Sequence, residues 1–207
     1  SGEGGMITTN DRDLYDLLRL YRNHGMQRNP DLWKNKEQGF PDGDQPAPWY
    51  QEQQYLGFNY RMSDIHAAIG LSQLSKLDHF VTRRREIVAR YDDTLARIPG
   101  ISAYQAAAAQ RAQSAHHIYI AKIDFEALGL SRSTFIRRLH ELRIGTQVHY
   151  LPIYRQPFYA RRLGLAPDVF PESESYYASC LSLPLFPDMG DDEVEYVIDA
   201  VRQVCGG

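Results

Sequence analysis

The stretch LGFNYRMSDIHAAIGLSQLSKLD, residues 56–78, joins a polar loop to a long apolar segment. Ser63 is a typical N-cap residue, and Asp64 follows in the first turn, where the helix dipole favours a negative charge. The stretch therefore predicts a helix that begins near residue 64. Apolar residues recur nearly all round that helix, so we expect it to be buried on several sides. These apolar positions are Met62, Ile65, Ile69, Leu71, Leu74 and Leu77.

Residues 57–61, just before this helix, supply hydrogen-bond donors of different kinds. Asn59 carries an amide, Tyr60 a phenol and Arg61 a guanidinium. The free N–H groups at a helix start favour anions, and an arginine can bind a phosphate through two parallel bonds. The pattern fits an anion site, and it fits equally well a structural role in which Asn59 caps the helix and Arg61 pairs with a carboxylate.

The chain opens with SGEGGMITTND, residues 1–11, which starts as a glycine-rich loop. Met6–Thr8 predicts a short strand, and Thr9–Asp11 predicts the cap of an amphipathic helix over residues 11–23. From Gly25 to Tyr55 no period is visible, and prolines, glycines and polar residues are frequent. A stretch of this length without regular structure indicates a functional lid or a poorly ordered insertion.

Beyond residue 78 the pattern becomes that of a small α/β layer. A long helix is predicted up to Pro99, followed by a strand at residues 116–125, a helix around Phe135, a strand TQVHY at 146–150 and a last helix around Val197. The alternation predicts a small α/β layer that is distinct from the helix starting near residue 64, so we expect an α/β fold with two domains. We expect the first domain to span residues 1–80 and the second to span 81–207.

His149 and Tyr150 end the second of these strands and lead into LPIYRQPFY, residues 151–159. Histidine and tyrosine on a loop are typical of a surface that binds a sugar or nucleotide, although a lone histidine is more often structural. Elsewhere, His116 and His117 cannot chelate one metal ion together, because adjacent strand residues face opposite ways. We therefore expect no metal site.

Composition excludes several functional classes. The 23 basic residues are balanced by 26 acidic ones, giving a net charge of −3, so there is no electrostatic case for nucleic acid binding. No apolar run is long enough to cross a bilayer, so we expect no membrane partner. The two cysteines, Cys180 and Cys205, form neither a disulfide framework nor a metal pair, and this usage is typical of a cytoplasmic protein.

Four stretches, taken together and in order, resemble the DegT/DnrJ/EryC1/StrS family of sugar aminotransferases. The resemblance implies the C-terminal half of a fold type I pyridoxal-phosphate enzyme, comprising the end of its large domain and its small α/β domain. Residues 48–78 and 149–159 are most similar to the branch that makes UDP-4-amino-4,6-dideoxy-N-acetyl-β-L-altrosamine for pseudaminic acid. The four stretches are GEGGMITTND (2–11), LRLYRNHGM (18–26), residues 56–78 and IGTQVHYLPIYRQPFY (144–159).

In that family the Gly-Glu-Gly-Gly loop closely follows the lysine that forms a Schiff base with the cofactor. The resemblance therefore implies that this lysine lies upstream of Ser1 and that no catalytic residue is present in the chain. We expect the 207 residues alone to have no transaminase activity. None of the four lysines present is at the family position, and these are Lys34, Lys36, Lys76 and Lys122.

The family motif also implies a role for individual residues. Asn59 is expected to bind the phosphate of pyridoxal phosphate in the neighbouring subunit, which implies a homodimer with a composite active site. The implied substrates are glutamate and a UDP-linked 4-keto-6-deoxy sugar, covered by the loop from Gly25 to Tyr55. The residues expected to bind substrate are Tyr60, Arg61, His149, Tyr150 and Tyr154, and Trp49, Tyr50 and Tyr159 are expected to complete the wall of the sugar site.

Two alternatives remain open at this point. A dehydratase subgroup of the family has histidine at the lysine position and removes a hydroxyl instead of transferring nitrogen. A non-catalytic module that binds a nucleotide sugar is the other alternative. The residue at the lysine position separates the two enzymes.

Overall fold

The structure is a computed structural model that describes residues 2–103 and 113–206. Its contacts divide the chain into two compact units, Ser1–Ser75 and Lys76–Gly207. We refer to them as unit 1 and unit 2 and describe each by itself. The functional identity of the two predicted domains stays a prediction.

Unit 1 begins with helix α1, Arg12–Tyr21. The carboxylate of Asp11 caps it by accepting hydrogen bonds from the backbone N–H groups of Asp13 and Leu14, as the sequence predicts. The strand predicted at Met6–Thr8 is wrong, since these residues form neither a strand nor a bridge with any other described residue. An isolated strand has no partner for its backbone groups, and so the β-branched residues alone do not form one.

The segment from Gly25 to Tyr55 is folded. Strands β1, Met26–Gln27, and β2, Glu52–Gln53, pair antiparallel. Between them lie a 3₁₀ turn, Pro30–Leu32, and the short helix α2, Lys36–Gly39. The alternative of a poorly ordered insertion is therefore wrong.

Helix α3, Asp64–Leu74, starts where the sequence predicts, and the hydroxyl of Ser63 caps it by accepting a bond from the N–H of His66. The expectation that this helix is buried is wrong for this chain. None of its residues is buried, and Ile65 and Leu71 are 74% and 72% exposed. Its apolar surface lacks a covering element among the described residues.

Unit 2 is built on a three-stranded antiparallel sheet. Its strands, in spatial order, are β3, Ile101–Ala103; β4, Tyr119–Ile123; and β5, Cys180–Leu183. In the central strand β4, Ile123 lies opposite Ile101 of β3, and Tyr119 lies opposite Leu183 of β5. The predicted strand at residues 146–150 is wrong: only Gln147 makes a bridge, to Ser182.

Helices cover this sheet and enclose the main core. The long helix α4, Leu77–Leu95, contributes Ile87, Tyr91 and Leu95, which are almost fully buried, in agreement with the sequence pattern. The helices that follow it are α5, Arg132–Glu141; α6, Pro157–Leu163; α7, Pro171–Ser179; and α8, Asp191–Gly206.

Both cysteines of the chain lie in unit 2. Cys180 is buried in β5 and Cys205 is partly buried near the end of α8. In addition, none of the helices in the described ranges is both long enough and apolar enough to span a membrane.

Candidate functional site

In unit 1 the backbone holds Asn59 against the end of α1. Asn23 and Asn59 form an antiparallel bridge. The N–H of Phe58 donates to the carbonyl of Tyr21 over 2.7 Å, and the N–H of Tyr60 donates to the carbonyl of Arg22 over 3.0 Å. Residues 58–60 are thus fixed in position by main-chain bonds, independently of their side chains.

Two glycines make this close approach of the backbone possible. Gly25 has φ +71°, and a Cβ atom placed on it would lie 1.9 Å from the carbonyl oxygen of Tyr55. A Cβ on Gly57 would lie 2.2 Å from the backbone nitrogen of Gly25. Since no larger residue fits at either position, both glycines are needed to hold the Asn59 loop in place.

The side chains of this loop are directed to solvent. Asn59 and Arg61 are exposed, and Tyr60, 72% exposed, stacks on Phe58 with 4.9 Å between ring centroids. Within the described residues, neither the Asn59 amide nor the Arg61 guanidinium makes a side-chain hydrogen bond or an ion pair.

The role of helix cap considered for Asn59 is wrong. Asn59 does not cap the helix, because the helix starts at Asp64 and Ser63 caps it. Nor does Arg61 pair with a carboxylate in the described part of the chain. An amide and a guanidinium with free donors, fixed on a rigid loop, form a set that suits a phosphate group.

The Gly25–Tyr55 segment has a small aromatic core of its own. The ring of Trp33, 4% exposed, packs edge-on against Tyr50 with 4.7 Å between centroids and against Phe40 with 5.6 Å. Trp49 is left 73% exposed at the surface. Two aromatic residues of this segment are predicted to line the sugar site. The ring of Tyr50 packs against Trp33 within the segment, whereas the ring of Trp49 remains accessible to a ligand.

A carboxylate binds this segment together. Glu52 accepts hydrogen bonds from the N–H of Asn35 over 3.1 Å and the hydroxyl of Tyr50 over 2.9 Å, as well as from the N–H of Lys34 and the amide of Gln54. Burial by itself raises the pKa of Glu52, but these bonds outweigh it and lower that pKa to about 2. The ionised carboxylate therefore joins the C-terminal part of the segment to residues 34–35 in its middle.

In unit 2 the predicted pair His149 and Tyr150 is held from β5. Nδ1 of His149 lies 2.7 Å from the hydroxyl oxygen of Ser182. The ring of Tyr150, which is largely exposed, meets the imidazole edge-on with 4.6 Å between centroids. A fixed imidazole beside an accessible phenol is suited to binding oxygen atoms of a polar ligand.

Tyr154, a predicted substrate residue, is engaged inside unit 2. Its hydroxyl donates to Glu174 over 2.7 Å, and its ring stacks on Phe170 at 4.6 Å. Arg155 also binds Glu174. Burial and the bond to Glu174 raise the pKa of the Tyr154 phenol. Since these contacts use both its polar and its apolar parts, Tyr154 is better suited to shaping the loop than to holding a ligand.

Three side chains that hold the predicted site residues in place are not identified by the sequence analysis. They are Glu52, Glu174 and Ser182, which bind Tyr50, Tyr154 and His149. Acidic residues in a polar segment carry no periodic signal, so Glu52 and Glu174 could not be singled out. Ser182 does leave a signal, because it is the one polar side chain in the apolar run CLSL, residues 180–183. A buried serine there requires a partner.

A family model, curated proteins and solved structures all relate the chain to sugar aminotransferases or to polysaccharide biosynthesis. The model of the DegT/DnrJ/EryC1/StrS aminotransferase family matches residues 1–202. The chain is 37% identical over 208 residues to the spore coat polysaccharide biosynthesis protein SpsC of Bacillus subtilis (strain 168), covering 100% of this chain and 51% of that protein. The chain spans about half the length of the curated relatives it matches.

Solved structures show the same fold. Helicobacter pylori PseC, an aminotransferase involved in the biosynthesis of pseudoaminic acid, matches with TM-score 0.78 and 24% identity, over 96% of this chain and 47% of that one. The PLP-form of Spr1654 from Streptococcus pneumoniae matches with TM-score 0.74 and 24% identity, over 96% of this chain and 45% of that one. The predicted fold class, mixed α/β and corresponding to part of an aminotransferase chain, is confirmed.

Proposed function

Because the chain belongs to the DegT/DnrJ/EryC1/StrS aminotransferase family, we propose that it forms the C-terminal half of a pyridoxal-phosphate enzyme. This enzyme transfers an amino group from glutamate to C4 of a UDP-linked 4-keto-6-deoxy sugar. The observation that carries the proposal is the family match over residues 1–202, which includes both the Asn59 loop and the His149 loop. The resemblance of residues 48–78 and 149–159 to the pseudaminic acid branch supports UDP-4-amino-4,6-dideoxy-N-acetyl-β-L-altrosamine as the product.

The donors of unit 1 fit the phosphate end of the cofactor. When bound, pyridoxal phosphate supplies the electron sink for amino-group transfer. Asn59 donates its amide N–H to that phosphate in the neighbouring subunit, while Tyr60 and Arg61 face the diphosphate of the nucleotide or the carboxylate of glutamate. Support comes from the free donors of Asn59 and Arg61 and from the main-chain bonds that fix their loop.

The aromatic residues select the sugar. Trp49 offers an exposed apolar face for packing against a pyranose ring, and His149 and Tyr150 bind oxygen atoms of the sugar or diphosphate. A site that hydrogen-bonds one hydroxyl discriminates against its epimer, because the buried partner is then left unpaired. Within unit 2, Tyr159 adds an exposed ring beside Phe158, while Tyr154 is engaged with Glu174 and Phe170. Within unit 1, Tyr50 packs on Trp33.

The functional assembly is a homodimer in which each active site takes residues from both subunits. The exposed apolar surface of α3 supports this arrangement. Large apolar side chains left open to water mark a surface that another part of the protein covers. The rest of the full-length polypeptide and its second copy supply that cover.

The assay of function uses the full-length polypeptide with pyridoxal phosphate, glutamate and a UDP-linked 4-keto-6-deoxy sugar. We expect an aminated sugar nucleotide, detected by mass, with one 2-oxoglutarate formed per amine. A product that has lost a hydroxyl without gaining nitrogen identifies the dehydratase alternative. Absence of both products, with the nucleotide sugar still bound, identifies a non-catalytic module.

The role of Asn59 is tested by Asn59→Ala in the same protein. We expect retention of the cofactor on dialysis to fall about tenfold, since one hydrogen bond to a charged group is lost. Asn10→Ala, which removes another exposed amide from unit 1, is the matched control and leaves retention unchanged. Equal retention in both variants contradicts the assignment of Asn59.

The role of His149 is tested by separating the two half-reactions. His149→Ala is expected to reduce amination of the sugar at least tenfold, while the half-reaction with glutamate changes less than twofold. The control His140→Ala removes an exposed imidazole of α5 and alters neither. Equal loss in both half-reactions shows that His149 supports the site as a whole.

A further inference from the structure

Ser182 is a buried polar residue in an apolar strand. It is 6% exposed, and the other three residues of β5 are buried and apolar. A hydroxyl in such a place is unfavourable unless it forms a hydrogen bond. An alanine at this position would need no hydrogen-bond partner. The property that distinguishes the serine from an alanine is therefore the hydrogen bond of its hydroxyl.

The partner of that hydroxyl is the imidazole of His149. Oγ of Ser182 lies 2.7 Å from Nδ1, and no other side-chain bond to Ser182 is present within the described residues. The two segments are also joined by main-chain bonds, since Gln147 and Ser182 exchange N–H to carbonyl contacts in both directions. Ser182 therefore meets His149 from a rigid strand.

A second residue of β5 supports the same loop. Burial raises the pKa of the Cys180 thiol, while the cation of Arg132 and the backbone N–H of His149 oppose that rise. The amide of His149 thus lies close to the sulfur of Cys180. Cys180 therefore contacts the backbone of His149 and Ser182 contacts its ring, from alternate positions of strand β5.

The direction of the hydrogen bond between Ser182 and His149 follows from the single proton of the serine hydroxyl. A serine hydroxyl has one proton to donate, and leaving a buried donor unpaired costs more than leaving a lone pair unused. Nδ1 is the one acceptor that the described residues provide to that proton. Ser182 therefore donates to Nδ1, and in the neutral ring the remaining proton resides on Nε2.

We propose that Ser182 is a positioning residue that holds His149 as the Nε2–H tautomer, so that the imidazole acts as a hydrogen-bond donor to an oxygen of the nucleotide-sugar substrate. The identity of that ligand rests on the function proposed above, whereas the tautomer does not. The ring bonds through one nitrogen to the protein and offers the other, which has no partner in the described part of the chain, to a ligand.

The tautomer is measured directly on the full-length protein labelled with ¹⁵N-histidine. Imidazole nitrogen shifts above neutral pH should show His149 with its proton on Nε2. In Ser182→Ala we expect this signal to move to an average of both tautomers. Ser182→Cys keeps the size of the side chain with a weaker donor and should give an intermediate shift. Ser179→Ala, which removes a hydroxyl from α7, is the control and leaves His149 unchanged.

Kinetics then test the consequence for the ligand. In Ser182→Ala we expect KM for the nucleotide sugar to rise about tenfold, with the glutamate half-reaction changed less than twofold. An unchanged His149 tautomer in Ser182→Ala overturns the proposal. A changed tautomer with unchanged KM shows that Ser182 holds the ring but that the ligand assigned to His149 is wrong. The variant Ser182→Cys keeps the size of the side chain, so an intermediate tautomer shift in it shows that the effects of Ser182→Ala come from the lost hydrogen bond and not from unfolding.

Discussion

The main core of unit 2 and helix α3 of unit 1 contain similar apolar residues in opposite environments. Phe135 and Leu139, one helical turn apart on α5, are fully buried in the core of unit 2. Ile65 and Leu71 on α3 are mostly exposed. The difference shows that an apolar helical pattern predicts that a surface is covered, without specifying whether the same segment of chain provides the cover.

The largest effect is expected in the core of unit 2. Phe135→Ala removes a fully buried ring that packs edge-on against Phe125, with 5.7 Å between centroids. We expect the free energy of unfolding of unit 2 to fall by about 3–5 kcal/mol, through lost burial and the cavity left behind. Amide hydrogen exchange in β4, the central strand, measures it. A loss below about 1 kcal/mol would place Phe135 outside the cooperative core.

A smaller loss is expected from one hydroxyl in the same core. Tyr91 is fully buried, and its hydroxyl donates to the carbonyl of Pro184 over 2.9 Å. Tyr91→Phe keeps the ring but leaves that carbonyl unpaired, so we expect a loss of about 1–2 kcal/mol by the same exchange measurement. Tyr15→Phe, at an exposed ring of α1, is the control. Equal effects of the two substitutions would contradict the importance of the buried bond.

Acid should loosen the Gly25–Tyr55 segment before it affects the core. The pKa of Glu52 is about 2, below its ordinary value of 4.5, so its stabilisation is complete above pH 4.5 and is lost as pH falls from there toward 2. We expect a change of about 0.5–1 kcal/mol, since solvent nearby weakens the interaction. Fluorescence of Trp33 in a Trp49→Phe background reports the exposure of its ring.

The substitution Glu52→Gln should abolish this pH dependence, because the side chain no longer ionises. Glu37→Gln removes an exposed carboxylate of α2 and should leave the acid transition as it is. If the Glu52→Gln protein retains the transition, another carboxylate controls the segment.

The smallest effect is expected on α3. Ile65→Ser changes a side chain that is already exposed, so we expect the free energy of unfolding of this chain to change by less than about 0.5 kcal/mol. In the full-length protein the same substitution should shift the dimer toward monomer, as measured by sedimentation. A full-length dimer unaffected by both Ile65→Ser and Leu71→Ser would show that α3 is not covered by the assembly.

The sequence predicts elements whose signal is local and periodic. Asp11 and Ser63 cap their helices as expected, and Tyr91 and Leu95 lie on the buried side of α4. The burial of α3 could not be predicted for this chain, since a helical pattern contains no information on what lies outside the segment. The strand expected at residues 146–150 is replaced by a single bridge because only Gln147 pairs with β5.

The candidate site was predicted in part. Asn59, Arg61 and His149 were found because their residue types have distinctive chemistry, and their roles stay predictions. The sequence does not decide between a lid and a poorly ordered insertion for the Gly25–Tyr55 segment, since its order comes from contacts among Trp33, Tyr50 and Glu52 that follow no period. Long-range pairs of this kind are visible only in three dimensions.

The positions of Cys180, which is buried, and Cys205, which is partly buried, have a practical consequence for labelling chemistry. Burial raises the pKa of Cys205 to about 11 and also raises that of Cys180. At pH 7 only on the order of one Cys205 thiol in ten thousand is the reactive thiolate, whereas an exposed cysteine has a few per cent. A cysteine introduced at Trp49 would therefore react with a maleimide dye far faster than either native thiol, and the wild-type cysteines need not be removed.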